Sequence, residues 1–260
     1  MSKITIFSFA VNDKFPLDIM RRQFTKYIKE DFDFVLFNDA ENSKTESDIN
    51  TIASCNNIQC VRVPQHIHQT QRNPSVCYAE TLNWAVRDYA VKNQYEIIAM
   101  MHSDIFPVCN TSISEIIGEY SIASTVEFRL VNDQPINYLY PAFTIINMNL
   151  LKDPNELDFG LEDGLDAGGK TRYFVKNNPN AVKFLPNHQT SYFIAILPEE
   201  DSMAKYYKED LLIARKYGLS AGWITEGFYH YMAGSQWNGA NPSFAQGHKE
   251  RMDLFLKYFY

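Results

Sequence analysis

His102 and Asp104 stand either side of Ser103 at the end of an apolar run, Ile97-Ile98-Ala99-Met100-Met101, and both carry groups that ligate divalent ions. On an extended backbone alternate side chains project to the same side, so this imidazole and carboxylate can converge on one ligand while Ser103 points away. Ligands of open α/β sheets sit outside the carboxyl ends of such buried strands. The triplet therefore either begins a metal site or closes the strand as a plain polar turn, and the surrounding elements decide between them.

Those elements alternate. Lys3 to Ala10 reads as a strand, Leu17 to Lys29 as a helix by its apolar spacing, and Phe32 to Phe37 as a strand closed by Asn38-Asp39. Glu41 to Asn57 reads as a polar insertion, Ile58 to Val63 as a strand and Pro64 to Arg72 as a loop. Ser75 to Lys92 reads as a helix with Ser75 as its N-cap after the Asn73-Pro74 break, and it leads into the Ile97 strand. This order predicts an α/β, Rossmann-like sheet covered by helices. The second half is expected to be mixed and partly antiparallel. It has strands over Thr125 to Val131, Ala142 to Met148, Ala181 to Leu185, Ser191 to Leu197 and Trp223 to Met232. Asp158 to Thr171 is a Gly/Asp loop, and helices cover Ser202 to Tyr217 and Phe244 to Tyr260. No Gly/Ser/Pro linker divides the chain, so residues 1–260 are expected to form one domain, with a nucleotide-binding half over 1–107 and an acceptor half over 108–260.

With 260 residues, 45% of them hydrophobic, the chain can bury a sizeable core. A net charge of -7 without clustered Lys and Arg argues against nucleic acid as a partner. No apolar run is long enough for a membrane span, and Met1-Ser2-Lys3-Ile4 opens straight into a strand pattern. A cytoplasmic protein is expected. Cys55, Cys60, Cys77 and Cys109 are scattered and never paired as C-x-x-C, so neither disulfides nor a zinc knuckle is suggested. His66 and His68 could offer two imidazoles on one side of an extended segment, or belong to a solvated loop, the commoner case. His188 and His248 have no carboxylate nearby in sequence and read as structural, and the apolar face of the last helix, Phe244, Met252, Phe255, Leu256 and Phe259, reads as packing.

Three further segments follow the triplet in order. Tyr138-Leu139-Tyr140-Pro141-Ala142-Phe143-Thr144-Ile145-Ile146-Asn147 is similar to the Y-x-N-A-G-x-x-x-x-N strand of glycosyltransferase family 8, the family of glycogenin and bacterial lipopolysaccharide galactosyltransferases. Asp166-Ala167-Gly168-Gly169 stands where that family has an Asp-Gln loop, and His230-Tyr231-Met232-Ala233-Gly234-Ser235-Gln236-Trp237 resembles its H-Y-x-G-x-x-K-P-W segment. The resemblance implies a GT-A fold and a metal-dependent transferase that moves a sugar from a nucleotide-diphosphate donor to a glycan or other hydroxyl acceptor, with retention of configuration. It implies a Mn2+ or Mg2+ ion held by Asp104 and His230, with His102 in place of the family's first Asp. Phe9, Ala10, Asn12 and Asp39 would border the nucleoside, and Ser103, Arg72, Gly234 and Ser235 the donor and its phosphates; Asp166 would serve sugar or acceptor chemistry.

The departures carry physical weight. His102 removes one negative charge from a hard-cation site, Gln236 replaces a phosphate-binding Lys, and Pro141 lacks the donors of Asn. These changes leave open a catalytically silent module of the same fold that binds nucleotide sugars or glycans. A nucleotidyltransferase fits less well, because Phe9-Ala10-Val11-Asn12-Asp13-Lys14 contains no glycine to cradle phosphate.

Overall fold

A computed structural model of the chain describes residues 3–11, 17–68, 73–231 and 242–259. Strand β1 (Ile4–Ala10) is followed by α1 (Leu17–Tyr27), β2 (Phe32–Asn38), α2 (Ser43–Cys55) and β3 (Gln59–Arg62). Helix α3 (Pro74–Trp84) runs on through a π-helical segment, Ala85–Ala90, into β4 (Ile97–His102). The chain then forms β5 (Ile105–Pro107), α4 (Ile113–Ile117), β6 (Ile122–Val131), β7 (Gln134–Asn147) and α5 (Thr171–Asn177). After β8 (Val182–Leu185), β9 (His188–Gln189), α6 (Thr190–Ile196) and α7 (Ser202–Tyr217), a hairpin of β10 (Trp223–Thr225) and β11 (Phe228–His230) precedes α8 (Pro242–Phe259).

Seven strands form the main sheet in the order β3-β2-β1-β4-β7-β6-β8. The first four are mutually parallel, β7 runs antiparallel to β4 and to β6, and β8 is parallel to β6. Alternation along β1 feeds two helical layers: Ile4, Ile6 and Ala10 join Met20, Phe24 and Ile49 on one face, while Phe7 and Phe9 join Leu82, Val86 and Ala90 on the other. A second, antiparallel sheet of order β5-β11-β10-β9 meets α7 and α8 through Phe106 and Tyr229, whose rings pack on Tyr206 and Phe255.

Four local expectations give way. The polar stretch 41–57 is the crossover helix α2: Asn42 caps it by accepting from the Thr45 amide at 2.9 Å, and Ile49 and Ala53, four apart, bury one face. The cap of α3 is Asn73, not Ser75; its side chain accepts from the Ser75 and Val76 amides, with Pro74 at the first helical position. Residues 191–197 are β-prone, yet Phe193, Ile194 and Leu197 meet the core only at helical spacing, and α6 forms. The single strand expected over 223–232 is the hairpin β10–β11, turned at Glu226 (φ 45°) and Gly227 (φ 83°). A Cβ on Gly227 would sit 2.4 Å from Thr111 Oγ1, so no larger residue fits that turn unchanged.

Candidate functional site

β1, β2 and β4 point their carboxyl ends to one edge, where Ala10 pairs with Asn38 and Phe9 with His102. β1 connects to β2 on one side and has β4 on its other side, so a topological switch point lies between β1 and β4, the place where such sheets open a crevice. His102 is the last residue of β4, and Asp104 sits in the turn before β5. His230 comes from the second sheet: it pairs with Ile105, and the Tyr231 amide donates to the Asp104 carbonyl at 2.9 Å.

Asp104 Oδ1 is therefore 3.4 Å from His102 Nδ1 and 3.3 Å from His230 Nε2. The carboxylate is 1% exposed, and neither of its oxygens accepts a hydrogen bond among the described residues. Burial pushes its pKa up, but His230 and His102 outweigh that and hold it well below the usual carboxylate range. One ligand atom from each of the three residues lies within 4.8 Å of the others. A buried carboxylate with unused oxygens, faced by two imidazoles, fits a divalent cation, and two nitrogen donors favour a transition metal over Mg2+.

Aromatic rings fix both imidazoles. Tyr78 meets His102 edge-on with centroids 4.7 Å apart and donates its hydroxyl to the Pro141 carbonyl at 3.2 Å; Tyr140 lies 5.9 Å from His230. Burial, with the Asp104 charge adding to it, raises both phenols, so each stays protonated. The Tyr138–Asn147 segment is thus part of β7 and lines the site at Tyr140 and Pro141. The 158–171 loop docks on it: Leu139 donates its amide to Thr171 Oγ1 at 2.9 Å, and a Cβ on Gly168 (φ 91°) would fall 2.6 Å from the Leu139 carbonyl. Asp166 is exposed on that loop, close enough to Tyr140 to help raise its pKa.

Asp39 closes β2 and is buried, its carboxylate accepting from Gln65 Nε2 and Thr81 Oγ1, both at 3.2 Å, and lying 2.9 Å from His68 Nε2. Phe9 and Ala10 are buried at the end of β1, and Ser103 is buried in the turn. Asn12, Arg72, Gly234 and Ser235 lie outside the described residues, as do Gln236 and Trp237. In the sequence Tyr140 is marked only by the Tyr138–Asn147 resemblance, and no motif singles out Tyr78.

No family model and no curated protein matches the sequence. Among solved structures the chain is similar to the WbbM bifunctional glycosyltransferase in its apo form, with a TM-score of 0.50 and 12% identity. The chain shares the mixed α/β fold of that glycosyltransferase. The likeness covers 100% of this chain and 52% of that one, so the chain spans about half the length of that neighbour. A fainter likeness, TM-score 0.45 at 11% identity over 71% of this chain and 73% of the other, is to core-mannan synthase A from Aspergillus fumigatus in its Mn/GDP form. No described helix is long and apolar enough to cross a membrane.

Proposed function

We propose that the chain is a metal-dependent glycosyltransferase of GT-A type. On this reading residues 1–260 act as one catalytic unit that transfers a sugar from a nucleotide-diphosphate donor to a hydroxyl of a glycan or related acceptor. The observation that carries it is Asp104: a carboxylate buried at the switch point, with two unused oxygens and an imidazole on either side. Asp104, His230 and His102 would hold Mn2+ in preference to Mg2+. The ion would supply Lewis-acid stabilisation of the charge that builds on the departing nucleoside diphosphate.

The chain's own residues do the rest. Phe9 and Ala10 border the nucleoside, and Asp39, its carboxylate turned toward Gln65, His68 and Thr81, holds the wall beside it. Ser103, Arg72, Gly234 and Ser235 are assigned to the donor phosphates from their sequence positions. Tyr140 and the exposed Asp166 face the sugar and acceptor side, where a carboxylate on a loop can orient a hydroxyl or take its proton. The family resemblance favours retention.

Calorimetry with manganese and a panel of nucleoside diphosphates tests the reading. Wild type should bind one of them in a manganese-dependent way, and Asp104→Asn should lose manganese affinity by more than about 100-fold, beyond the loss usual for residues that only orient a ligand. No binding by wild type, or undiminished binding by the variant, would overturn it. Binding without turnover on any acceptor would instead identify the silent module, which the loss of one ligand charge at His102 favours.

A further inference from the structure

A second cluster of ligating groups lies apart from Asp104. His68, Cys77 and Glu80 each place a ligand atom within 4.8 Å of the others. His68 lies in the loop after β3, and Cys77 and Glu80 stand three apart in the first turns of α3, on one side of the helix. His66, the partner that sequence spacing offers His68, is exposed on the loop.

The arrangement around His68 is specific. Its Nδ1 is 3.0 Å from Glu80 Oε2 and its Nε2 is 2.9 Å from Asp39 Oδ1, with the side chains of His68 and Asp39 each 2% exposed. Nδ1 thus faces Glu80, and Nε2 points at a buried carboxylate that also accepts from Gln65 and Thr81. Metal-bound histidines are oriented in this way, the free N–H donating to a carboxylate that fixes tautomer and ring direction.

We propose that His68, Cys77 and Glu80 form a second divalent-metal site, of the zinc class, with Asp39 as the carboxylate that orients His68. A thiolate, an imidazole and a carboxylate make a mixed N/S/O set that suits Zn2+ and excludes Mg2+ and Ca2+. Three protein donors leave one tetrahedral position for water. Binding releases the Cys77 thiol proton to solvent, and the Nε2 proton of His68 stays shared with Asp39. Such an ion would pin the β3–α3 loop to the first turns of α3, the same turns from which Tyr78 packs on His102. The proposal stands on this cluster alone, independent of sugar transfer.

The test uses the untagged full chain, stripped with chelator and titrated with Co2+, then with Zn2+ as competitor. One Co2+ per chain should bind with a thiolate-to-metal charge-transfer absorption that Zn2+ abolishes and that Asp104→Asn leaves intact, since the His102–Asp104–His230 set contains no sulfur. Cys77→Ser should remove the band. Glu80→Gln should weaken Co2+ binding at least tenfold and Asp39→Asn by about 10–100-fold. Absence of the band from wild type overturns the proposal and leaves an ion-paired histidine only, whether or not any variant folds. Survival of the band in Cys77→Ser, or unchanged affinity in Glu80→Gln, also overturns it.

Discussion

Arg251 of α8 is fully buried, and its replacement by Met should cost about 3–5 kcal/mol of stability. The guanidinium donates Nε to Asp210 Oδ1 at 2.7 Å, Nη2 to Asp210 Oδ2 and to the Tyr229 hydroxyl, both at 2.9 Å, and Nη1 to the Ser220 carbonyl at 3.1 Å. It also stands 4.5 Å from the centre of the Tyr231 ring. Met fills much of the space but leaves the Asp210 carboxylate, 0% exposed, with the Tyr229 hydroxyl as its one side-chain donor among the described residues. That uncompensated charge, more than the lost attraction, sets the magnitude, a large part of the ~5–15 kcal/mol that a domain has to spend. The triple variant Arg251→Met, Asp210→Leu, Tyr229→Phe removes the three side-chain members of the network, leaving the carbonyl of the exposed Ser220 to water, and should recover most of the loss. Urea unfolding followed by tryptophan fluorescence and circular dichroism reads both differences, with comparable slopes required for the comparison. Tyr229 and Tyr231 flank His230 in β11, so Arg251→Met should also weaken manganese binding. A loss below about 1 kcal/mol in Arg251→Met, or a triple variant as unstable as the single one, would refute the reasoning.

Three other outcomes are expected. Burial and the neighbouring Arg251 charge push the His248 imidazole from an ordinary 6.5 down to about 4, so below pH 6.5 the unfolded chain takes up a proton that the folded one refuses. Stability should therefore fall by at most ~3 kcal/mol between about pH 6.5 and pH 4, and His248→Gln should flatten that slope in urea titrations run across the range. Gly168→Ala places a Cβ 2.6 Å from the Leu139 carbonyl at φ 91° and should cost about 1–3 kcal/mol. Limited proteolysis should then cut the 158–171 loop faster, and an unchanged digestion rate would count against its docking on β7. His102→Asp restores an oxygen donor and a negative charge, so calorimetry should record Mg2+ gaining on Mn2+; an unchanged ratio would remove His102 from the ligand set.

The first hundred residues were legible because parallel strands buried on both faces leave continuous apolar runs, and β1, β2 and β4 carry them. α2 was not, since only Ile49, Ile52 and Ala53 distinguish it from a polar insertion. The second half is built from strands of two to four residues beside one long hairpin, too short for period to separate strand from helix, and α6 and the Glu226-Gly227 turn were misread for that reason. The C-x-x-E spacing of Cys77 and Glu80 was readable at the start of α3, but its histidine arrives from a loop whose residues show no period at all.

Asp104 and His230 come from distant parts of the chain, and what brings them together is the pairing of β5 with β11, a contact no local pattern announces. Their order along the sequence pointed to the pair only through family resemblance. The fold explains why the arrangement depends on distant residues. β4 delivers His102 from the main sheet, while the hairpin delivers His230 from the antiparallel one, and the turn 103–104 carries the chain from β4 in the first to β5 in the second. Each sheet contributes an imidazole to one carboxylate, and the β5–β11 pairing inside the second sheet sets His230 beside the turn that carries Asp104. The pairing of His230 with Ile105 and the bond from the Tyr231 amide to the Asp104 carbonyl place His230, and the buried Arg251–Asp210–Tyr229 network ties the same hairpin to α7 and α8, so residues remote from the ligands support their geometry.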